Sequence, residues 1–411
     1  MPMDPYFEDQ LRENRRGTIA GVRTRIVSAL RAAPGTALAA LAALPGRIRA
    51  GRRTAAPATV AEPSSLAAPV LPAPAEPAPA SPTPATPPPT RTWSEIPPIT
   101  ALEAFTTAKA HRVDRYSPAG EQRNALLWDR KLHGRVGLDG PELTTREFVI
   151  PTSGFPDVRV RLYLPDTPAP TGGFPAVLAF FGGAFHVGGI DYTSVDAGYR
   201  RRTRDSGVAH VAVDYALAPI HRFPTPVEQG YAALDWLVAH APELGLDPAR
   251  LGITGTSSGG NIAAALTILN RERAHHPLRL QLLEVPSLDL TGKHVDFAPL
   301  REMRVPRLLL ARELRRIRGR YLAHPDQART ALASPLLAPD LAGLPPAHIL
   351  TAEYDTLRGD GAAYARALRL AGVPASAIQF GGATHDAIMY TAAVPLAEHW
   401  HLHAVAILRT L

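Results

Sequence analysis

The sequence predicts an α/β fold built on a mostly parallel sheet, and three observations carry that expectation. Apolar runs such as "PAVLAFF" (175–181) and "VAHVAVDYA" (208–216) are too uniformly hydrophobic for strands with one wet face. They suit strands buried on both sides. Segments with helical spacing separate the runs, which is the alternation of βαβ units. Glycine-rich turns close several of the runs, at the carboxyl ends of strands, where such sheets bind ligands.

This regular pattern begins only near residue 143. Residues 1–56 carry ten arginines against four acids, +6 of the chain's formal net charge of +7. The basic balance therefore describes a tail and gives no ground for a nucleic-acid-binding globular domain. Within the tail, Ile19, Val22, Ile26 and Leu30 share one face of a possible helix ringed by arginines. Residues 19–44 are thus a candidate for weak membrane-surface contact, with a disordered tail and a remnant export signal as the alternatives. Arg23, Arg25 and Arg31 interrupt the apolar stretch and weigh against export. The run "TALAALAALPG" is too short to span a bilayer. Residues 57–98 hold 14 of the chain's 42 prolines among Ala, Ser and Thr, which reads as an extended linker. The absence of cysteine excludes disulfides and thiolate metal sites. The cytoplasm is the expected compartment, and residues 99–411 form the expected folded domain.

In that domain, "REFVI" and "VRVRLYL" alternate as strands do around Phe155-Pro156-Asp157 and predict a hairpin. The strand 175–181 and the strand 208–216 follow, then a helix over 227–241 with Val227, Tyr231, Leu234 and Leu237 on one side. "RLGITG" (250–255) predicts a third buried strand and "NIAAALTILNRER" (261–273) a helix. "LRLQLLEVP", "AHILTAEYD" and "ASAIQFGG" continue the sheet, with a helix near 359–371 between the last two.

Chemistry gathers at the strand ends. Gly255-Thr256-Ser257-Ser258-Gly259 directly follows one strand and opens a helix, fitting the G-x-S-x-G elbow. Small residues there allow the sharp turn that lifts the Ser257 hydroxyl above the sheet, near a helix N-terminus. A serine hydroxyl needs a base to become a nucleophile, and this arrangement takes its partners in the order serine, acid, histidine. Asp355 lies just beyond "HILTAEY" and His385 just beyond "IQFGGAT", so both fall on the same sheet edge as Ser257. Glu353 and Asp360 are rival acids, expected to point to a sheet face and to the next helix. His186 and His221 precede the serine; His210 and His348 belong to strands, and His240, His399, His401 and His403 to helices. The loop "FGGAF" after the strand 175–181 is the expected oxyanion hole, with Gly183, Ala184 and Ser258 as backbone donors.

"GTSSGGN" (255–261), "VDYALAPIHRFPTPVEQGYAALDWL" (213–237) and "ASPLLAPDLAGLPPAHILTAEYDTLRGDG" (333–361) together resemble the hormone-sensitive lipase family of α/β-hydrolases, in the form with threonine before the serine. The resemblance runs from about residue 145 to the end and implies an α/β-hydrolase fold, with Asp355 and His385 at the family's acid and histidine positions. It also implies a helical cap, for which about 99–134 and 290–332 are the candidates. The second, rich in Leu and Arg, suits a solvated amphipathic helix as well as a pocket wall. Departures are Phe181-Gly182-Gly183-Ala184 for His-Gly-Gly-Gly, Ala216 for an arginine, Ile220 for a glutamate, and Asp386 for the glycine after the histidine.

The resulting expectation is a serine carboxylester hydrolase needing no metal or organic cofactor, acting on a small-molecule ester with an apolar group. An acyltransferase or cyclase using the same acyl-enzyme is the alternative. A ligand-binding protein on a hydrolase scaffold is the third reading.

Overall fold

A computed structural model describes residues 117–411; the basic tail, the linker and the first part of the expected cap (99–116) lie outside the described residues. The chain runs α1 (Pro118–Val136), β1 (Thr145–Ile150), β2 (Val158–Tyr163), β3 (Phe174–Phe180), α2 (Thr193–Ser206), β4 (Ala209–Asp214), α3 (Thr225–His240), β5 (Leu246–Thr256) and α4 (Ser258–Glu272). It continues through β6 (Leu278–Glu284), α5 (Ala298–Glu302), α6 (Arg307–Tyr321), β7 (Ala347–Tyr354), α7 (Arg358–Leu370), β8 (Ala375–Thr384) and α8 (Pro395–Leu408).

The strands form one sheet in the order β1-β2-β4-β3-β5-β6-β7-β8. β1 and β2 make the expected hairpin, and β2 runs antiparallel to β4; every other pairing is parallel. β3 is buried at all seven positions, as its unbroken apolar run requires. Successive side chains of a strand point to opposite faces, and this builds two cores. Leu178 and Phe180 pack with Leu234 and Leu237 of α3 and Ile262 and Leu266 of α4. Val177 joins Leu282, Leu350 and the α8 residues Trp400, Ala404 and Leu408. Helices thus cover both faces and leave the carboxyl ends of the strands as the open edge. β5, β7 and β8 end there one after another, delivering Ser257, Asp355 and His385.

Two segments sit over that edge. α1 precedes the sheet, and α5 and α6 interrupt the chain between β6 and β7. α6 turns Leu310, Leu314, Ile317 and the fully buried Tyr321 inward, a stripe at helical spacing. Its arginines tie it to α1: Arg316 and Arg320 both bridge Glu121, at 2.7 and 2.9 Å to Oε1. Of the two readings left open for this segment, the amphipathic helix describes α6: one side packs on the core, the other faces solvent, and no residue of 290–332 lines the cavity described below.

Candidate active site

Ser257 stands between β5 and α4 with φ 55° and ψ −114°, a conformation that L-residues avoid. The flanking glycines permit it by close approach. A Cβ on Gly255 would lie 2.2 Å from the Gly259 carbonyl oxygen, and one on Gly259 would lie 2.3 Å from that of Phe180. Backbone bonds hold the turn: Ser257 N–H donates to Glu284 O (2.8 Å), and Ser257 O accepts from Asn261 (3.1 Å) and Ser287 (3.2 Å). The Asn261 side chain in turn donates to Ser287 O and Ala333 O, at 2.7 and 2.9 Å.

His385 Nε2 lies 3.0 Å from Ser257 Oγ, and its Nδ1 lies 2.7 Å from Asp355 Oδ2. With its proton on Nδ1 the ring donates to the carboxylate and accepts from the hydroxyl. Asp355 is buried and also accepts from Leu357 N–H at 2.9 Å. Burial works against a charged imidazole, but the Asp355 carboxylate outweighs it by charge and hydrogen bond, helped by the charge of Asp386, and pushes the His385 pKa up to about 9.

The rival groups are occupied elsewhere. Glu353 accepts from Gly382 N–H in β8 (2.7 Å), away from the imidazole. Asp360, buried in α7, accepts from Leu288 and Asp289 N–H (2.8 and 3.0 Å), and its burial raises its pKa to about 7. His186 turns back onto the Ala184 carbonyl oxygen at 2.8 Å.

The loop after β3 crosses directly over the serine. A Cβ on Gly182 would sit 3.3 Å from Ser257 Cβ. Gly183 has φ +148°, and a Cβ there would fall 1.8 Å from the Val187 carbonyl oxygen, so only glycine fits. Ala184 and Phe185 follow with φ 51° and 63°. Alanine therefore occupies a left-handed position where it costs roughly 1–2 kcal/mol. Among the described residues, the N–H groups of Gly183, Ala184 and Ser258 donate no hydrogen bond.

Aromatic stacking stands where the histidine side chain is missing. Phe181 stacks on Tyr215 (centroids 4.2 Å apart, planes 10°), whose hydroxyl donates to Phe181 O at 2.9 Å. Phe185 stacks on Tyr321 of α6 at 3.8 Å. From α1, the Gln122 amide grips Gly188: Nε2 donates to its carbonyl oxygen (2.5 Å) and Oε1 accepts from its N–H (3.1 Å). Beyond it, Arg161 donates to Ile190 O (3.0 Å) and pairs with Asp191, fastening the loop to β2.

Ser257 and His385 open into a cavity of about 450 Å³, walled by Trp128 of α1, Tyr199 and Arg202 of α2, Ile388 and Met389 after β8, and Trp400 of α8. Two of these wall residues hold the buried Glu284 carboxylate, Arg202 Nη2 and Trp400 Nε1 donating to it at 2.6 and 2.7 Å. His401, placed by the sequence on a helix, also reaches the cavity and pairs with Asp205 at 2.8 Å.

A family model described as "alpha/beta hydrolase fold" matches residues 177–389. The chain belongs to the hormone-sensitive-lipase-like family of α/β-hydrolases. This hydrolase is 36% identical over 266 residues to the carboxylesterase NlhH of Mycobacterium tuberculosis, covering 62% of this chain and 79% of that one. It is 33% identical over 243 residues to an arylesterase of Saccharolobus solfataricus, covering 59% and 76%. The crystal structure of EstE1, a thermostable carboxylesterase from a metagenomic library, superposes with a TM-score of 0.64 at 38% identity, over 72% of this chain and 97% of that one. The protein is accordingly a carboxylesterase-like hydrolase. Gln122, Tyr215 and Tyr321, which brace its loop, carry no signal in the sequence except Tyr215, which lies inside the family-like stretch 213–237.

Proposed function

We propose that the protein hydrolyses small carboxylic esters through an acyl-enzyme on Ser257. His385 takes the hydroxyl proton as Ser257 Oγ attacks the acyl carbonyl, and returns it to the departing alcohol. Asp355 fixes the imidazole tautomer and stabilises its charged form. Gly183, Ala184 and Ser258 N–H groups receive the oxygen that becomes negative in the tetrahedral intermediate. Water then repeats the sequence on the acyl-enzyme, with His385 again as base. The observation that carries this reading is the unbroken chain Ser257–His385–Asp355, at 3.0 and 2.7 Å, beneath a loop with undonated N–H groups. The apolar cavity walls support esters with a hydrophobic group beside the scissile carbonyl.

The test is fluorophosphonate labelling and p-nitrophenyl ester turnover by wild type and Ser257→Ala. Wild type is expected to label at Ser257, and the variant to fold, stay unlabelled and lose on the order of 10⁴–10⁶ in rate. A folded variant that keeps its rate removes Ser257 from the chemistry. Adding competing alcohols to the assay separates hydrolysis from acyl transfer, and free acid is the expected product.

A further inference from the structure

The outer side of α6 does not serve the site described above. Leu310, Leu314, Ile317 and Tyr321 fill its inward stripe, which leaves Leu308 and Leu309 at 71% and 54% exposure. Around them, residues 298–321 hold eight arginines against two glutamates, a net +6. Arg316 and Arg320 are engaged by Glu121, and Arg307 lies 5.0 Å over the Phe297 ring. Arg301, Arg304, Arg312 and Arg315 face solvent. We propose that this face, Leu308 and Leu309 rimmed by Arg301, Arg304, Arg312 and Arg315, docks the protein on an anionic lipid bilayer.

Charge selects the occupant. The chain's own residues 1–56 carry ten arginines and four acids, the same sign as the face, so they do not complement it. A second copy docked through the same face would set its four exposed arginines against their own kind. Nucleic acid would engage the arginines but leave the two leucines in water. An anionic bilayer takes both: the arginines gain from its surface potential and the leucines from the headgroup boundary. Among the described residues no helix is long and apolar enough to cross a membrane, so the contact is one of docking on the surface. The face is also fastened to the cavity wall. Glu121, Ala125 and Trp128 share one stripe of α1; the first holds α6, while the other two line the cavity, Trp128 at 52% exposure.

The test is sedimentation of the full chain with vesicles of phosphatidylcholine alone or mixed with phosphatidylglycerol. Two variants are compared: Leu308→Ser/Leu309→Ser, and Arg301→Gln/Arg304→Gln/Arg312→Gln/Arg315→Gln. Thermal unfolding confirms that both fold. Wild type should bind only the mixed vesicles, and binding should weaken with salt. The arginine variant should lose at least about tenfold in partition, and the leucine variant about tenfold with its salt dependence kept. Equal binding of wild type to both vesicle types, or none to either, overturns the proposal. Variants that partition like wild type would leave any binding to other parts of the chain and also overturn it. A leucine variant with undiminished binding that RNA displaces would make the face a polyanion site instead.

Discussion

Gly183→Ala is the sharpest perturbation of the proposed oxyanion loop. The new Cβ would stand 1.8 Å from the Val187 carbonyl oxygen, whereas real Cβ contacts essentially never fall below 3.0 Å, so the loop must move by about 1.2 Å. Rotation of φ is no escape, because +148° is itself open only to glycine. The displaced residues are the ones whose N–H groups are proposed to receive the reacting oxygen. A donor set for a bond near 2.9 Å and moved by more than 1 Å no longer makes it, which costs roughly 10²–10³ in kcat, the size of one oxyanion donor. Stability should fall by about 1–3 kcal/mol, since the native turn at 183–187 is lost. Steady-state kinetics on p-nitrophenyl acetate, with fluorophosphonate labelling as a second readout, checks the first figure, and urea unfolding the second. Ala184→Gly is the control: it relieves the left-handed alanine without adding an atom, so activity should change by less than about tenfold. A folded Gly183→Ala enzyme with kcat within about threefold of wild type would show that these N–H groups are not the oxyanion donors.

His385 must be neutral to act as a base, so kcat/KM should fall as pH drops through its raised pKa of about 9. Asp355→Asn removes the carboxylate that raises it, and should shift this acid limb toward the ordinary imidazole range while costing about 10⁴ in rate. A wild-type limb at or below the ordinary value would refute the arrangement. The same shift favours the folded state fully below the unfolded imidazole pKa, and that contribution fades as pH rises toward about 9. Gln122→Ala breaks both bonds to Gly188 and should lower kcat about tenfold, with KM and the pH profile unchanged. An effect on stability alone would leave Gln122 as a simple fastener of the cap.

The sheet and the three side chains that meet at its edge were legible because short-range patterns carry them. β3 and β4 read as buried strands from their apolar runs, and Ser257, Asp355 and His385 stood out because each follows a strand directly. Strand order was not legible: β4 lies between β2 and β3, and such pairing depends on crossovers whose partners are distant in sequence. The bracing of the loop was hidden for the same reason. Gln122 meets Gly188, and Phe185 meets Tyr321, across chain separations that no local pattern records. The torsion angle at Ala184 was an open question in the sequence, since alanine fits either sign of φ at different cost, and the loop geometry sets it at +51°.

The position of β8 at the edge of the sheet has a consequence during synthesis. β5 and the turn at Ser257 can form once the central strands have emerged from the ribosome, but the imidazole arrives only with the last strand, which pairs with β7 alone. Until residue 385 has been translated and β8 has zipped onto β7, the nascent chain holds Ser257 without the imidazole that the proposed mechanism gives it as a base. Under the proposed mechanism a chain stopped before residue 385 is inactive, so ester hydrolysis in a synthesis time course should begin only once β8 is complete.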